Sequence, residues 1–110
     1  VDIDPVSVQV AQANLRLNRV AGRVYAACGN GYDTPLVRGS YDLIFANILA
    51  RPLMRMAVDL RRHLQPGGVA ILSGLLERQE RAVLMAHRQH GLVLVHRIRI
   101  RGWSCLLLRG

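Results

Sequence analysis

The chain alternates short apolar runs with amphipathic segments, and this alternation limits the folds that it can adopt. The runs Leu43–Ala46 and Val69–Leu72 contain no polar residue, which is typical of strands buried on both faces of a parallel sheet. Between them, from Pro52 onward, apolar side chains recur at helical spacing, at Leu53, Met56, Ala57, Leu60 and Leu64. Strands that alternate with helices predict an α/β fold with a mostly parallel sheet.

The first third of the chain fits the same scheme. Asp4 and Pro5 have the residue types of a helix N-cap and first helical position, and the helix that they predict fades near residues 18–22. Arg23–Cys28 then predicts a short strand. Gly29-Asn30-Gly31 ends that strand, and Asp33-Thr34-Pro35 prolongs the loop.

The last third predicts a helix followed by a hairpin. Pro66-Gly67-Gly68 stops the preceding helix. The next helix is predicted over Leu76–His90 and is closed by Gly91. Leu92–Arg101 then predicts a long strand, and Trp103–Arg109 returns beside it as an antiparallel partner.

Composition excludes several classes of protein. A chain of 110 residues, of which 51% are hydrophobic, has room for one domain with a true core. No apolar run is long enough to cross a membrane, and the chain does not open on a secretory signal. Cys28 and Cys105 are too few for a disulfide framework or a zinc site, so we expect a cytoplasmic location.

The net charge of +8 comes from arginine alone, because all 15 basic residues are Arg. Arginine binds phosphate well, and Arg97, Arg99 and Arg101 alternate along a predicted strand, so RNA binding is one interpretation. The alternative is a coding bias that spreads arginine over the surface, since no dense arginine block is interleaved with aromatic residues.

Polar residues follow three of the predicted strands, where open α/β sheets bind ligands. Asp2 can accept hydrogen bonds from both hydroxyls of a ribose, and the amide of Asn47 can hold a carboxylate, an amine or a planar amide. Each has a plainer interpretation: Asp2 as a solvated residue and Asn47 as a helix cap. Gly29-Asn30 predicts an ordinary turn, because it lacks a further glycine and opens no helix.

Several stretches together resemble class I S-adenosylmethionine-dependent methyltransferases, namely Val1–Pro5, Tyr41–Asn47 and Leu64–Gly68. Others narrow the resemblance to the PrmA family, which methylates amino groups of the large-subunit ribosomal protein L11; these are Ala46–Leu53, Ser73–Glu77 and Gly102-Trp103. The resemblance covers essentially the whole chain.

The resemblance implies a Rossmann-like methyltransferase sheet with a C-terminal antiparallel hairpin, and S-adenosyl-L-methionine as cofactor. It assigns Asp2 to the ribose hydroxyls of the cofactor, and Asn47 to the mouth where methyl donor and acceptor meet. It assigns no role to Gly29-Asn30, and it implies that Gly67 and Gly68 form a turn. The partner implied is a bacterial ribosomal protein, with RNA contacted through the ribosome.

Catalytic residues are left unassigned, because no general base is evident. The histidines are predicted to be surface or packing residues, and no metal site is predicted; they are His63, His87, His90 and His96.

Compared with the family pattern, the first strand and its Gly-rich loop are missing, as is a separate N-terminal substrate-recognition domain. We therefore expect residues 1–110 to form a single, incomplete catalytic domain that binds the cofactor weakly or not at all. Because the missing strand is central in the sheet, we also expect marginal stability as a monomer. Dimerisation or a strand swap would compensate for it.

Two other functions are compatible with the sequence. One is an RNA methyltransferase of the same fold, favoured by the charge and by the arginines at positions 97, 99 and 101. The other is a non-enzymatic remnant that serves as an interaction domain.

Overall fold

The computed structural model describes residues 1–33 and 37–110. The loop predicted at Asp33-Thr34-Pro35 therefore lies mostly outside the described residues. The chain divides into two compact units, Val1–Arg38 and Gly39–Gly110, which are described separately below. No helix in the described ranges combines the length and apolar character that a membrane span requires.

The first unit is built on helix α1, Pro5–Leu17. Its predicted start is confirmed, because Asp4 Oδ1 accepts a hydrogen bond from the Val6 amide at 3.1 Å. The strand predicted over Arg23–Cys28 is reduced to a single parallel bridge between Asp2 and Cys28.

The second unit contains a four-stranded sheet in the order β1-β2-β4-β3. Its strands are β1 (Tyr41–Asn47), β2 (Leu64–Leu76), β3 (Val93–Ile100) and β4 (Trp103–Arg109). β1 and β2 pair in parallel, and the β2–β4 and β3–β4 pairs are antiparallel. The sheet is thus mixed, and the predicted C-terminal hairpin is confirmed.

The helix predicted from Pro52 to Leu64 is divided into two, α2 (Ala50–Arg55) and α3 (Ala57–His63). Met56 lies between them with φ −88° and ψ 3°, outside helical geometry. Leu53, Ala57 and Leu60 are nevertheless all buried. The predicted apolar face therefore runs across both helices, and only the prediction of one continuous helix was wrong.

Strand β2 ends later, and the helix after it begins later, than the sequence predicts. β2 continues to Leu76, which pairs with Trp103, so Leu76 does not begin a helix. The side chain of Gln79 accepts a hydrogen bond from the Leu76 amide at 2.9 Å. A short 3₁₀ helix over Glu77–Gln79 follows, and helix α4 spans Glu80–Arg88.

The turn of the hairpin consists of two residues, Arg101 and Gly102, with φ of 51° and 82°. Two consecutive positive φ values give the turn a twist that matches the flanking strands. The turn sets the register in which Ile100 pairs with Trp103.

Strand β1 is far more exposed than its apolar sequence predicts. Leu43 and Phe45 have 54% and 64% of their surface exposed, so the prediction of burial on both faces was wrong. Both pair with β2 residues that alternate with the buried Ala70 and Leu72, which places them on the sheet face opposite the buried core. That face is not covered within the second unit.

A buried carboxylate ties α4 to β3. Glu80 is 3% exposed. Arg99 donates two hydrogen bonds to it, both at 2.8 Å, and Arg97 Nε lies 2.9 Å from Glu80 Oε2. The hydrogen bonds from Arg99 and the two positive charges lower the pKa of Glu80 from 4.5 to about 2.

We predict that Glu80→Gln lowers the free energy of unfolding by about 1–3 kcal/mol at neutral pH, because two guanidiniums lose their carboxylate. The pKa of Glu80 is depressed by folding, so its contribution is present above pH 4.5 and is lost as pH falls toward 2. Urea denaturation followed by circular dichroism should show the gap between wild type and variant closing over that range. Glu77→Gln, at an exposed neighbouring position, is the control. A gap that stays constant with pH would contradict the prediction.

Candidate functional site

The carboxyl ends of β1 and β2 lie side by side, because the two strands are parallel. Asn47, the last residue of β1, is aligned with Ser73 on β2. Asn47 is exposed, whereas the hydroxyl oxygen of Ser73 is buried and has no hydrogen-bond partner among the described residues. An amide and a hydroxyl thus share one edge of the sheet, where α/β folds bind ligands.

Gly74 makes room for the side chain of Asn47. A Cβ added at Gly74 would collide with Asn47 Oδ1, and Gly74 adopts a φ of +77° that other residues rarely adopt. Ser73 and Gly74 belong to a stretch that resembles the PrmA family, but they were not predicted as site residues. The signal that could have identified them is their position directly after a buried strand, which is the position that singled out Asn47.

In the first unit, Asp2 and Asp4 have different roles. Asp4 caps α1 and also accepts a hydrogen bond from the Ser7 hydroxyl at 2.8 Å. The bonds from Ser7 and from the Val6 amide lower the pKa of Asp4. Asp2 is not needed as the cap.

The main chain of Asp2 is fixed while its carboxylate remains exposed. Its amide donates to Ala27 O at 3.1 Å, and its carbonyl accepts from the Gly29 amide at 2.9 Å. Asp2 Oδ1 accepts from the Asp4 amide at 2.9 Å, and Oδ2 accepts no hydrogen bond from the described residues. The carboxylate is therefore positioned, exposed and able to accept a further hydrogen bond.

Gly29 and Asn30 directly follow the bridge residue Cys28, so they lie at the same end of the pairing as Asp2. Asn30 O accepts from the Asp33 amide at 3.1 Å, which closes a 3₁₀ turn over Gly31–Asp33. The pair thus forms a turn, as predicted. Asp2 and Gly29-Asn30 meet in the first unit, and Asn47, Ser73 and Gly74 meet in the second.

The histidines lie away from the edge formed by Asn47 and Ser73. His63 ends α3, His90 follows α4 and His96 is on β3. His87 is a packing residue, fully buried on α4 with Nδ1 2.7 Å from Val83 O. Burial lowers the pKa of His87, which keeps it neutral near pH 7. In the described ranges, His, Cys, Asp and Glu side chains form no group of three that could hold a metal ion.

Comparison with known proteins gives concordant matches. The family model "Ribosomal protein L11 methyltransferase (PrmA)" matches residues 1–110. The ribosomal protein L11 methyltransferases of Bradyrhizobium diazoefficiens and Rhodopseudomonas palustris are 50% and 46% identical over 98% and 97% of this chain. The chain spans 37% of the length of each of these two relatives.

Solved structures agree on the fold. A ribosomal protein L11 methylase from Lactobacillus delbrueckii subsp. bulgaricus superimposes with a TM-score of 0.82 at 27% identity, covering 96% of this chain and 54% of that one. A methyltransferase from Pyrococcus furiosus gives 0.79 at 19% identity, with 97% and 58% covered. The Rossmann-like methyltransferase fold predicted from the sequence is confirmed.

We predict that Gly74→Ala displaces the side chain of Asn47, because the new methyl group occupies the position of Oδ1. The side-chain amide resonance of Asn47 should shift in a ¹⁵N correlation spectrum, and stability should fall by about 1–3 kcal/mol. Gly91→Ala is the matched control, since Gly91 has a φ of +81° but open space around its Cβ. It should cost only the backbone strain, about 1 kcal/mol, and leave the Asn47 resonance in place. An unmoved resonance in the Gly74 variant would disprove the contact.

Proposed function

The chain belongs to the ribosomal protein L11 methyltransferase (PrmA) family, and from that premise we propose that it forms part of an S-adenosylmethionine-dependent protein N-methyltransferase. The proposed acceptor is an amino group of the large-subunit ribosomal protein L11. The observation that carries the proposal is the exposed, positioned carboxylate of Asp2, the residue that pairs with Cys28 and that the resemblance assigns to the ribose of the cofactor.

The residues present suit the cofactor. Asp2 offers Oδ2 as a hydrogen-bond acceptor, and a ribose hydroxyl is a donor. Asp4 is already occupied as the cap of α1, so we assign the ribose contact to Asp2. Asn47 supplies an exposed amide with two donors and one acceptor, held over Gly74 at the sheet edge.

When bound, S-adenosylmethionine supplies a methyl group already activated by a positively charged sulfur. The task left to the protein is alignment of the acceptor amine with the methyl carbon. We propose that Asn47 orients groups at this point through its amide, and that Asp2 fixes the ribose. We assign no residue to removal of the proton from the amine.

We also propose that the two compact units are parts of one incomplete catalytic domain, and that the protein acts in the bacterial cytoplasm. Two cysteines that form no disulfide with each other, Cys28 and Cys105, suit a reducing compartment.

The alternative of an RNA methyltransferase loses the support of two of the three arginines on which it was based. It drew on Arg97, Arg99 and Arg101 as a free basic stripe, but Arg97 and Arg99 both contact Glu80. The other alternative, a non-enzymatic remnant that serves as an interaction domain, is distinguished by the experiment below.

A chimera tests the proposal. Residues 1–110 would replace the matching segment of the Bradyrhizobium relative, of which 37% is covered. We predict that the chimera transfers labelled methyl groups from S-adenosylmethionine to L11. Label in RNA instead would favour the RNA methyltransferase, and a folded chimera without transfer would favour the remnant.

Within the chimera, we predict that Asp2→Asn weakens S-adenosylmethionine binding by roughly tenfold to a hundredfold in calorimetry, because a charged hydrogen-bond acceptor is lost. Asp4→Asn is the control: asparagine also caps helices, so binding should change by less than about threefold. Equal losses in the two variants would contradict the assignment of the ribose to Asp2.

A further inference from the structure

An open groove lies on the helical side of the second unit, beyond the end of β1. It is formed by α2 and the segment that leads into α4, and its lining includes Leu49, Pro52, Gln79 and three arginines, Arg51, Arg55 and Arg78. Leu49 comes only two residues after Asn47. The groove therefore begins close to the edge assigned to methyl transfer.

The three arginines of this groove are free to bind a partner. Arg51, Arg55 and Arg78 are exposed, and none of them makes an ion pair with the described residues. No acidic side chain lines the groove. Arg51 and Arg55 are four residues apart on α2, so their side chains project from the same face.

These arginines differ from those that the sequence analysis considered for RNA. Arg97 and Arg99 contact the buried Glu80. The hydrogen bonds to Glu80, together with the charges of Glu80 and Glu77, raise the pKa of Arg99. Glu80 therefore neutralises one of the two positive charges of Arg97 and Arg99. Arg51, Arg55 and Arg78 have no carboxylate partner in the described ranges and line one groove together, so we expect this group to attract an external anion.

We propose that Arg51, Arg55 and Arg78 form a docking surface for the phosphate backbone of single-stranded RNA. Guanidinium groups bind phosphate through paired hydrogen bonds. The lining contains no aromatic side chain on which bases could stack, so the contact is to phosphates and carries no base preference.

The choice of RNA over an acidic protein rests on the proposed function. A ribosomal protein that binds RNA is itself basic, and an arginine groove repels a basic surface. RNA is a polyanion and has the complementary charge.

The experiment measures binding of the chimera described above to a fluorescein-labelled oligouridylate of about 12 nucleotides by anisotropy, between about 50 and 300 mM KCl. The groove variant combines Arg51→Gln, Arg55→Gln and Arg78→Gln. The control variant combines Arg16→Gln, Arg88→Gln and Arg109→Gln, which are exposed, outside the groove and without an ion pair in the described ranges. Both variants lose the same charge.

We expect the groove variant to bind at least about tenfold more weakly at low salt, and its salt slope to fall by about 2, from three lost phosphate contacts at about 0.7 each. The control should lose less than about threefold. An equal loss in both variants would overturn the proposal. Competition by polyglutamate as effective as that by unlabelled RNA would also overturn it and assign the groove to an acidic protein.

Circular dichroism checks the fold of each variant. If the triple groove variant is unfolded, Arg51→Gln and Arg78→Gln are measured singly, and each should lower the slope by about 0.7. Unchanged slopes in both would overturn the proposal. None of these experiments measures methyl transfer. A negative result for RNA binding therefore leaves the proposed methyltransferase activity to be tested separately.

Discussion

The parallel pairing of β1 with β2 is the constraint on which the second unit depends. It brings Asn47 beside Ser73 and Gly74 at one edge, and α2 starts three residues beyond Asn47. The edge that holds Asn47 and the groove lined by Arg51, Arg55 and Arg78 are therefore both positioned by the end of β1. A shift of one residue in this register would turn Asn47 to the other face of the sheet and would separate it from the gap above Gly74.

Two groups of arginine differ in their partners. Arg97 and Arg99 hold α4 against β3 through Glu80, and their function is structural. Arg51, Arg55 and Arg78 have no such partner in the described ranges and stay available. The net charge of +8 therefore does not by itself indicate a binding surface. Arginine serves both in ion pairs with buried carboxylates and in exposed binding sites, so each guanidinium has to be located in the structure first.

Local signals in the sequence predicted the helix cap at Asp4, the hairpin, and the strand-end positions of Asp2 and Asn47. Boundaries and burial depended on tertiary partners. Leu76 joins β2 because Trp103 pairs with it, and the apolar run of β1 is exposed because nothing in its unit covers Leu43 and Phe45. Neither the fit of the Asn47 side chain over Gly74 nor the hydrogen bonds from Arg99 to Glu80 could be predicted from the spacing of residues along the chain, because each joins residues distant in sequence.

We have assigned the ribose of the cofactor to Asp2, whereas Asp4 caps α1. A crystal structure of the chimera with S-adenosylhomocysteine, which has the same ribose, tests this assignment most directly. If Asp2 binds the ribose, its carboxylate should lie within hydrogen-bond distance, about 2.5–3.0 Å, of both ribose hydroxyls. A ribose bound by other side chains, with the Asp2 carboxylate left in solvent, would contradict it.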